Sequence, residues 1–232
     1  MKKIISSLLF AGLLTIAFAG DLSGTVNYDG KIPKKKTLRM DSDPVCNAAH
    51  SEAVYKQSFL VDENGNLANV LVYIKNISSD TAPSEIAVLD QNGCMYNPRV
   101  LGVQAGQEIK ILNSDPTMHN IHGLPKVNRE FNFGMPKTVK EKSITFDKVE
   151  DVFVVKCDVH PWMKSYVQVF DHPYFAVTGI DGKFTINNIP PGDYEVVAWQ
   201  EKFGSKRTLL KQVTVGKDSQ TLDFTFSRPK KK

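Results

Sequence analysis

Cys157-Asp158-Val159-His160-Pro161-Trp162-Met163 places a thiol, an imidazole and a thioether within one short stretch. The apolar run Val152-Phe153-Val154-Val155-Lys156 precedes it, and the alternating run Tyr166-Val167-Gln168-Val169-Phe170 follows. Both runs have β-type composition, so the stretch between them reads as a tight loop joining two strands. Three potential metal ligands therefore sit on one loop. A further imidazole comes from Met118-His119-Asn120-Ile121-His122, which follows its own strand pattern, Glu108-Ile109-Lys110-Ile111-Leu112.

One cysteine sulfur and two histidine nitrogens in a trigonal plane, with a weak axial methionine, form a ligand set that suits copper. Zinc also accepts cysteine and histidine, but it favours a harder fourth donor than a thioether. The loop resembles the ligand loop of the cupredoxins, or blue copper proteins, in its amicyanin- and plastocyanin-like form. There, Cys is followed by two residues, then His-Pro-aromatic-Met, a basic residue and a Val-alternating strand. Here the run is Cys157, Asp158-Val159, His160-Pro161-Trp162-Met163, Lys164, then Tyr166-Val167-Gln168-Val169. The upstream segment resembles the family's Pro-His-Asn-Val-His, with Met118 in place of Pro. Trp162 stands where Phe is usual. The resemblance covers residues 98–170 and implies His119, Cys157, His160 and Met163 as ligands of one mononuclear type 1 copper. It also implies that Asn120 pins the ligand loop and that His160 is the edge nearest solvent, where electrons would enter. His122 is expected on the same side of its strand as His119.

Working outward to the N-terminus, Met1-Lys2-Lys3, an apolar run from Ile4 to Phe18 and a small-residue end read as a cleavable export signal over 1–19. The apolar run is short for a bilayer span, so no transmembrane segment is expected in the mature chain. The expected location is periplasmic or secreted. The formal charge of +4 loses two with Lys2 and Lys3. Lys34-Lys35-Lys36 and Arg228-Pro229-Lys230-Lys231-Lys232 hold much of the remaining positive charge. Such runs are solvated and suit an anionic surface or acidic partner, whereas an exported chain has no nucleic acid to meet.

The chain has three cysteines. With Cys157 on the ligand loop, Cys46 and Cys94 remain, and an oxidising compartment favours a disulfide between them. The competing reading pairs Cys46 with His50 as a second metal site, because the Pro44-led, Ala-rich segment predicts a short helix and four-residue spacing shares a helical face.

Strands are expected at Phe59–Val61, Val70–Lys75, Glu85–Leu89, Arg99–Gln104 and Glu108–Leu112, with turns at Asn64-Gly65, Asn92-Gly93 and Ala105-Gly106. Short, regularly punctuated strands predict an antiparallel sandwich. After His172, Thr178, Asp181-Gly182, Phe184, Pro190-Pro191-Gly192 and Tyr194 resemble the motif of the carboxypeptidase regulatory-like (transthyretin-like) sandwich. That segment is short for a whole sandwich, so Ser23–Tyr28 is a candidate to supply a strand.

The expected fold is all-β: a cupredoxin-like Greek-key β-sandwich followed by a small transthyretin-like β-sandwich. The division is a signal over 1–19, an N-terminal strand and helix over 20–57, a copper domain over 58–170 and a C-terminal β domain over 171–232. The expected function is single-electron transport between periplasmic redox partner proteins. The competing functions are a copper carrier or sensor without redox cycling, and a β-sandwich interaction module. An enzyme is not expected, because an axial methionine leaves no open coordination position.

Overall fold

The computed structural model describes residues 19–83 and 85–227; all but the last residue of the export signal expected over 1–19, and the tail from Arg228, lie outside them. The described chain is almost entirely β, with a single short α-helix at Pro44–Ala48. No helix among the described residues is long and apolar enough to cross a membrane.

One sandwich holds the ligand loop. Its larger sheet runs in the order Val100–Gln104, Lys164–Phe170, Glu150–Lys156, His119–Gly123 and Phe131–Met135. The other sheet runs Met95–Asn97, Ala87–Asn92, Glu108–Asn113 and Glu141–Thr145. Glu108–Asn113 shows how sequence builds this unit: Ile109, Ile111 and Asn113 are buried while Glu108, Lys110 and Leu112 are less so. That alternation is the signature of a strand with one face on a core. Ile109, Ile111, Ile121, Phe153, Val155, Val167 and Val169 from the two sheets share that core with Cys157 and Met163.

The second sandwich draws on distant parts of the chain. Gly20–Asp29 is central in one sheet, antiparallel to Lys183–Ile189 and parallel to both Gln220–Thr221 and Phe224–Ser227. The other sheet runs Phe175–Val177, Leu71–Lys75, Gly192–Trp199 and Leu209–Val215. The N-terminal strand thus completes the C-terminal module. Leu71–Lys75, assigned from sequence to the copper domain over 58–170, pairs instead with Phe175–Val177 and Gly192–Trp199. Its apolar pattern specifies buried faces but not which neighbour buries them. Of Phe59–Val61 only a single bridge forms, Val61 to Leu67.

The motif over 178–194 acts through local contacts. Thr178 Oγ1 accepts the Val70 amide at 3.0 Å and donates to Leu67 O at 2.8 Å. Gly182 has φ +71° and its carbonyl accepts the Val26 amide at 2.8 Å. A Cβ there would lie 2.7 Å from Val26 O, so only glycine lets this turn close on the N-terminal strand. Tyr194 Oη donates to Pro190 O at 2.9 Å, closing the Pro-Pro-Gly turn.

Where the sandwiches meet, Leu71, Val100, Phe170 and Trp199 form a small apolar cluster with Tyr73, Tyr166 and Phe175. This explains why Lys164–Phe170 is buried on both faces. Val167 and Val169 face the core of the first sandwich, while Tyr166 and Phe170 face the second. Arg99 adds a buried ion pair across the junction. Its Nε and Nη2 donate to Glu201 at 2.7 and 2.9 Å, and Nη1 donates to Lys164 O at 2.8 Å.

The segment 30–57 forms a strap over the ligand-loop end of the first sandwich. Leu38 and Val54 pair at 2.8 Å, and Met40 and Cys46 enter the core. Asp43 caps the Pro44–Ala48 helix, its Oδ1 accepting the Val45 and Cys46 amides. Cys46 and Cys94 form a disulfide with Cα atoms 5.5 Å apart. The competing metal pair does not form, because His50 Nε2 is hydrogen-bonded to Gly93 O at 2.7 Å. The disulfide closes a loop spanning 48 positions. Loop closure of that length is worth about 4 kcal/mol in the chain-entropy account. Alkylation without reductant should leave Cys46 and Cys94 unlabelled, and the Cys46→Ala/Cys94→Ala variant should unfold about 4 kcal/mol more easily. Two labelled thiols in the untreated protein would contradict this pairing.

Candidate metal centre

His119 opens the strand His119–Gly123, and Cys157 and His160 lie on the loop between Glu150–Lys156 and Lys164–Phe170. Adjacent strands in one sheet therefore deliver these three side chains. Val155 and Lys156 pair with Gly123 and His122, so the strand leading into Cys157 is locked in register beside the strand that starts at His119.

The ligand atoms of His119, Cys157 and His160 all lie within 4.8 Å of one another. The two imidazoles meet through Nδ1, at 2.9 Å. Cys157 Sγ is 3.9 Å from His160 Nδ1. All three side chains are buried, as is Met163, which packs in the same core cluster as Cys157. Met163 is also held by its backbone: its amide donates to His160 O at 2.9 Å, and its carbonyl accepts the Cys157 amide at 3.2 Å. The loop thus closes on itself beneath the ligands.

Each ring's outer nitrogen meets a carboxylate. His119 Nε2 donates to Asp115 Oδ2 at 2.8 Å, and His160 Nε2 donates to Asp43 Oδ2 at 2.8 Å. A carboxylate acceptor requires a hydrogen on each Nε2, which leaves both Nδ1 atoms for the shared centre. Carboxylate–histidine pairing of this kind orients metal ligands and raises their basicity. Asp115 is itself buried and also accepts the Gly93 and Cys94 amides, at 2.7 and 2.8 Å. The disulfide, Asp115 and His119 are thereby one connected structure.

Around the sulfur, the Asn120 and His160 amides donate to Cys157 Sγ at 3.5 and 3.3 Å. Asn120 Oδ1 accepts the Asp158 amide at 2.6 Å and the Val159 amide at 3.4 Å. Asn120 therefore ties the ligand strand to the ligand loop. Asp158 in turn accepts from the side chains of Asn120 and Asn132, at 3.2 and 3.0 Å.

The electrostatics follow from these contacts. Burial opposes ionisation of Cys157, but His119 and the Asn120, His160 and Val159 amides outweigh it and hold the thiol below its ordinary range. Burial likewise disfavours charged His119, but the Asp115 carboxylate and the Cys157 sulfur outweigh it and raise that imidazole to about 9. In the metal-free centre the raised His119 keeps a proton on Nδ1, facing His160 Nδ1 2.9 Å away. A cation entering there replaces that proton.

Two sequence expectations need correction. His160 is not the solvent-facing edge: it is 2% exposed, covered by the strap and bound by Asp43. Trp162 is the partly exposed group beside it, with ring centroids 5.0 Å apart and Nε1 donating to Cys94 O at 3.0 Å. His122 lies three residues beyond His119 and so points to the opposite side of the strand. It bonds Asp158 at 2.9 Å and Glu130 at 3.0 Å, away from the cluster.

Sequence reading missed Asp43 and Asp115. Asp115 lies four residues before His119, while Asp43 is 117 positions from His160 in sequence and reaches it only through the strap. Two other clusters, Asp43–Cys46–His160 and Cys94–Asp115–His119, have ligand-like spacing. Their cysteines are consumed by the disulfide, so they support the central cluster and are not separate sites.

Comparison with known proteins gives partial matches. Residues 154–222 match the family described as Polysaccharide lyase family 4, domain II, which differs from the carboxypeptidase regulatory-like family that the 178–194 motif resembles. No curated protein matches the chain. Among solved structures, the chain is similar to a Cu-containing nitrite reductase from Thermus scotoductus SA-01, with 18% identity and a TM-score of 0.35 over 43% of this chain. The match spans about a quarter of that enzyme, 25% of its length. The chain is also similar to a methionine-to-alanine variant of amicyanin in the Cu(I) form, with 24% identity and a TM-score of 0.33, over 43% of this chain and 98% of that one. A reduced tryptophan-to-tyrosine amicyanin variant gives 23% identity and a TM-score of 0.33 over the same shares.

Proposed function

We propose that this chain is an exported mononuclear copper protein that carries single electrons between redox partner proteins. The observation that carries the reading is the convergence of His119 Nδ1, His160 Nδ1 and Cys157 Sγ in a buried cluster whose outer ring nitrogens already have carboxylate partners. The donors fit copper, since thiolate and thioether favour Cu(I) while imidazole serves both oxidation states. Bound copper supplies the one-electron change; every other feature belongs to the protein.

His119, Cys157 and His160 hold the centre, with Met163 as the thioether donor. Asp115 and Asp43 fix the two rings, and Asn120 fixes the loop. With strand pairing, paired Nε2 atoms and two amide donors on the sulfur, the ligands have little freedom to rearrange. A preorganised site of this kind changes little between oxidation states, which speeds electron exchange. Core burial keeps water from the centre. Electrons enter through Trp162, the partly exposed ring in contact with His160. Because Cys157, His119 and His160 are almost fully buried, the site suits retained copper better than a carrier that must release it. We assign no catalytic step, as the four donors leave no position for a substrate.

Potentiometric titration of the copper-loaded protein tests this reading. It should give one reversible wave with a single electron per chain, unchanged over repeated cycles. Copper loss on each reduction would support the carrier instead.

A further inference from the structure

A cavity of about 610 Å³ lies away from the ligand cluster, between the strap residues 33–36, the segment 56–60 and the turn 202–207. Its volume is in the range of small-molecule sites, about 300–1,000 Å³. The lining has two distinct parts. Tyr28, Phe59 and Phe203 form an aromatic floor with ring centroids 4.9, 5.9 and 6.4 Å apart. Phe203 rests on Phe226 at 4.7 Å, so the floor belongs to the core of the second sandwich.

The rim carries Lys34, Lys35, Lys36, Lys56, Lys202 and Arg207, and none of the lining residues is acidic. Arg207 lies 5.4 Å above the Phe203 ring, which places a guanidinium over the aromatic floor. Six cations around one concavity repel one another and concentrate anions there. Mobile surface lysines alone would need no floor. Here three packed rings provide one.

The Tyr28 hydroxyl is a further sign of a ligand. It is buried without a hydrogen-bond partner, and buried hydroxyls are rarely left so. Exposed Gly30 stands against it: a Cβ there would fall 2.7 Å from the oxygen. Glycine thus leaves only backbone over an unsatisfied donor at the cavity wall, where a small shift of the loop would present it.

We propose that this cavity binds a small organic polyanion with a flat aromatic face, its ring on the Tyr28–Phe59–Phe203 floor and its anionic groups among the six cations. The assignment does not depend on the copper reading. Lys56 and Ser58 also line a neighbouring cleft of about 230 Å³ that reaches Pro161 and Trp162, so the ligand lies next to the ligand loop without touching it.

Calorimetric titration of the full mature chain with naphthalenetrisulfonate, pyrophosphate and uncharged naphthalene tests the proposal. The trisulfonate should bind one to one, at least about tenfold more tightly than either of the others, because it alone offers both ring and charge. Lys34→Glu/Lys36→Glu/Arg207→Glu, all at exposed positions, should weaken it at least about tenfold. Ser58→Trp, which fills the cavity mouth and keeps every charge, should abolish binding, with circular dichroism confirming that each variant is folded. Pyrophosphate binding as tightly as the trisulfonate, or full trisulfonate affinity in Ser58→Trp, would overturn the proposal and leave only a basic surface.

Discussion

Glu201→Ala should destabilise the protein by about 3–5 kcal/mol, the largest stability effect expected of any single side chain at the junction. Arg99 and Glu201 are each 8% exposed and joined by two parallel hydrogen bonds. Removing the carboxylate leaves a guanidinium in a site with little water. Its remaining contacts are Lys164 O at 2.8 Å and the Tyr166 ring at 5.5 Å. Those contacts cannot replace an anion. Replacing both partners with apolar residues of similar volume, Arg99→Met/Glu201→Leu, removes the orphaned charge and should recover most of the loss. Urea unfolding of the three proteins checks this. A single variant as stable as the wild type would mean that the pair is hydrated and that the apolar cluster around Trp199 holds the sandwiches together alone.

Asp115→Asn should weaken copper binding by about 10–100-fold, in line with the loss of a carboxylate behind a metal-bound histidine. It should also change the pH dependence. In the metal-free protein His119 is raised to about 9. Copper must displace that proton, so affinity should fall about tenfold per unit as pH drops below 9. The sign for stability is the reverse. A raised histidine stabilises the metal-free fold fully below its unfolded value of about 6.5, and that contribution disappears as pH rises through 9. Asparagine removes the main raising partner, so the affinity plateau should begin at lower pH. Competition titrations with a copper chelator at several pH values measure both effects. A variant that lowers stability but leaves the pH profile unmoved would make Asp115 a scaffold for the Gly93 and Cys94 amides alone.

The cluster was legible because chemistry and spacing coincide. Cys157, His160 and Met163 sit on one loop between two strand patterns, and His119 opens the strand beside it. The disulfide followed from cysteine count and compartment. The carboxylates that hold the rings were not legible, since Asp43 reaches His160 from a strap distant in sequence. The same limit applies to the sheets. Residue pattern identified strands at Val70–Lys75 and Ser23–Tyr28, but period two carries no information about the partner strand. The shortness of the C-terminal segment pointed to the N-terminal strand as its missing member, but only the fold shows that Leu71–Lys75 belongs there too. The exposed His160 implied by family resemblance fails for a related reason: the loop matches, but the strap that covers it lies outside the matching stretch.

That strap also changes where a partner can approach. With Asp43 on His160 Nε2, the imidazole edge has no solvent face, and Trp162 becomes the contact between centre and surface. The basic cavity lies on the same side, sharing Lys56 and Ser58 with the cleft beside Trp162. Acidic partners and small anions would therefore meet the protein near Trp162.

The central claim is that Cys157 is a thiolate ligand of a single copper alongside His119 and His160. The visible absorption of the copper(II)-loaded protein, measured beside Cys157→Ser, tests it most directly. A strong thiolate-to-copper band in the wild type and none in the variant is the predicted result. A band that survives in Cys157→Ser, or a wild type that takes up zinc yet gives no coloured copper form, would contradict the assignment.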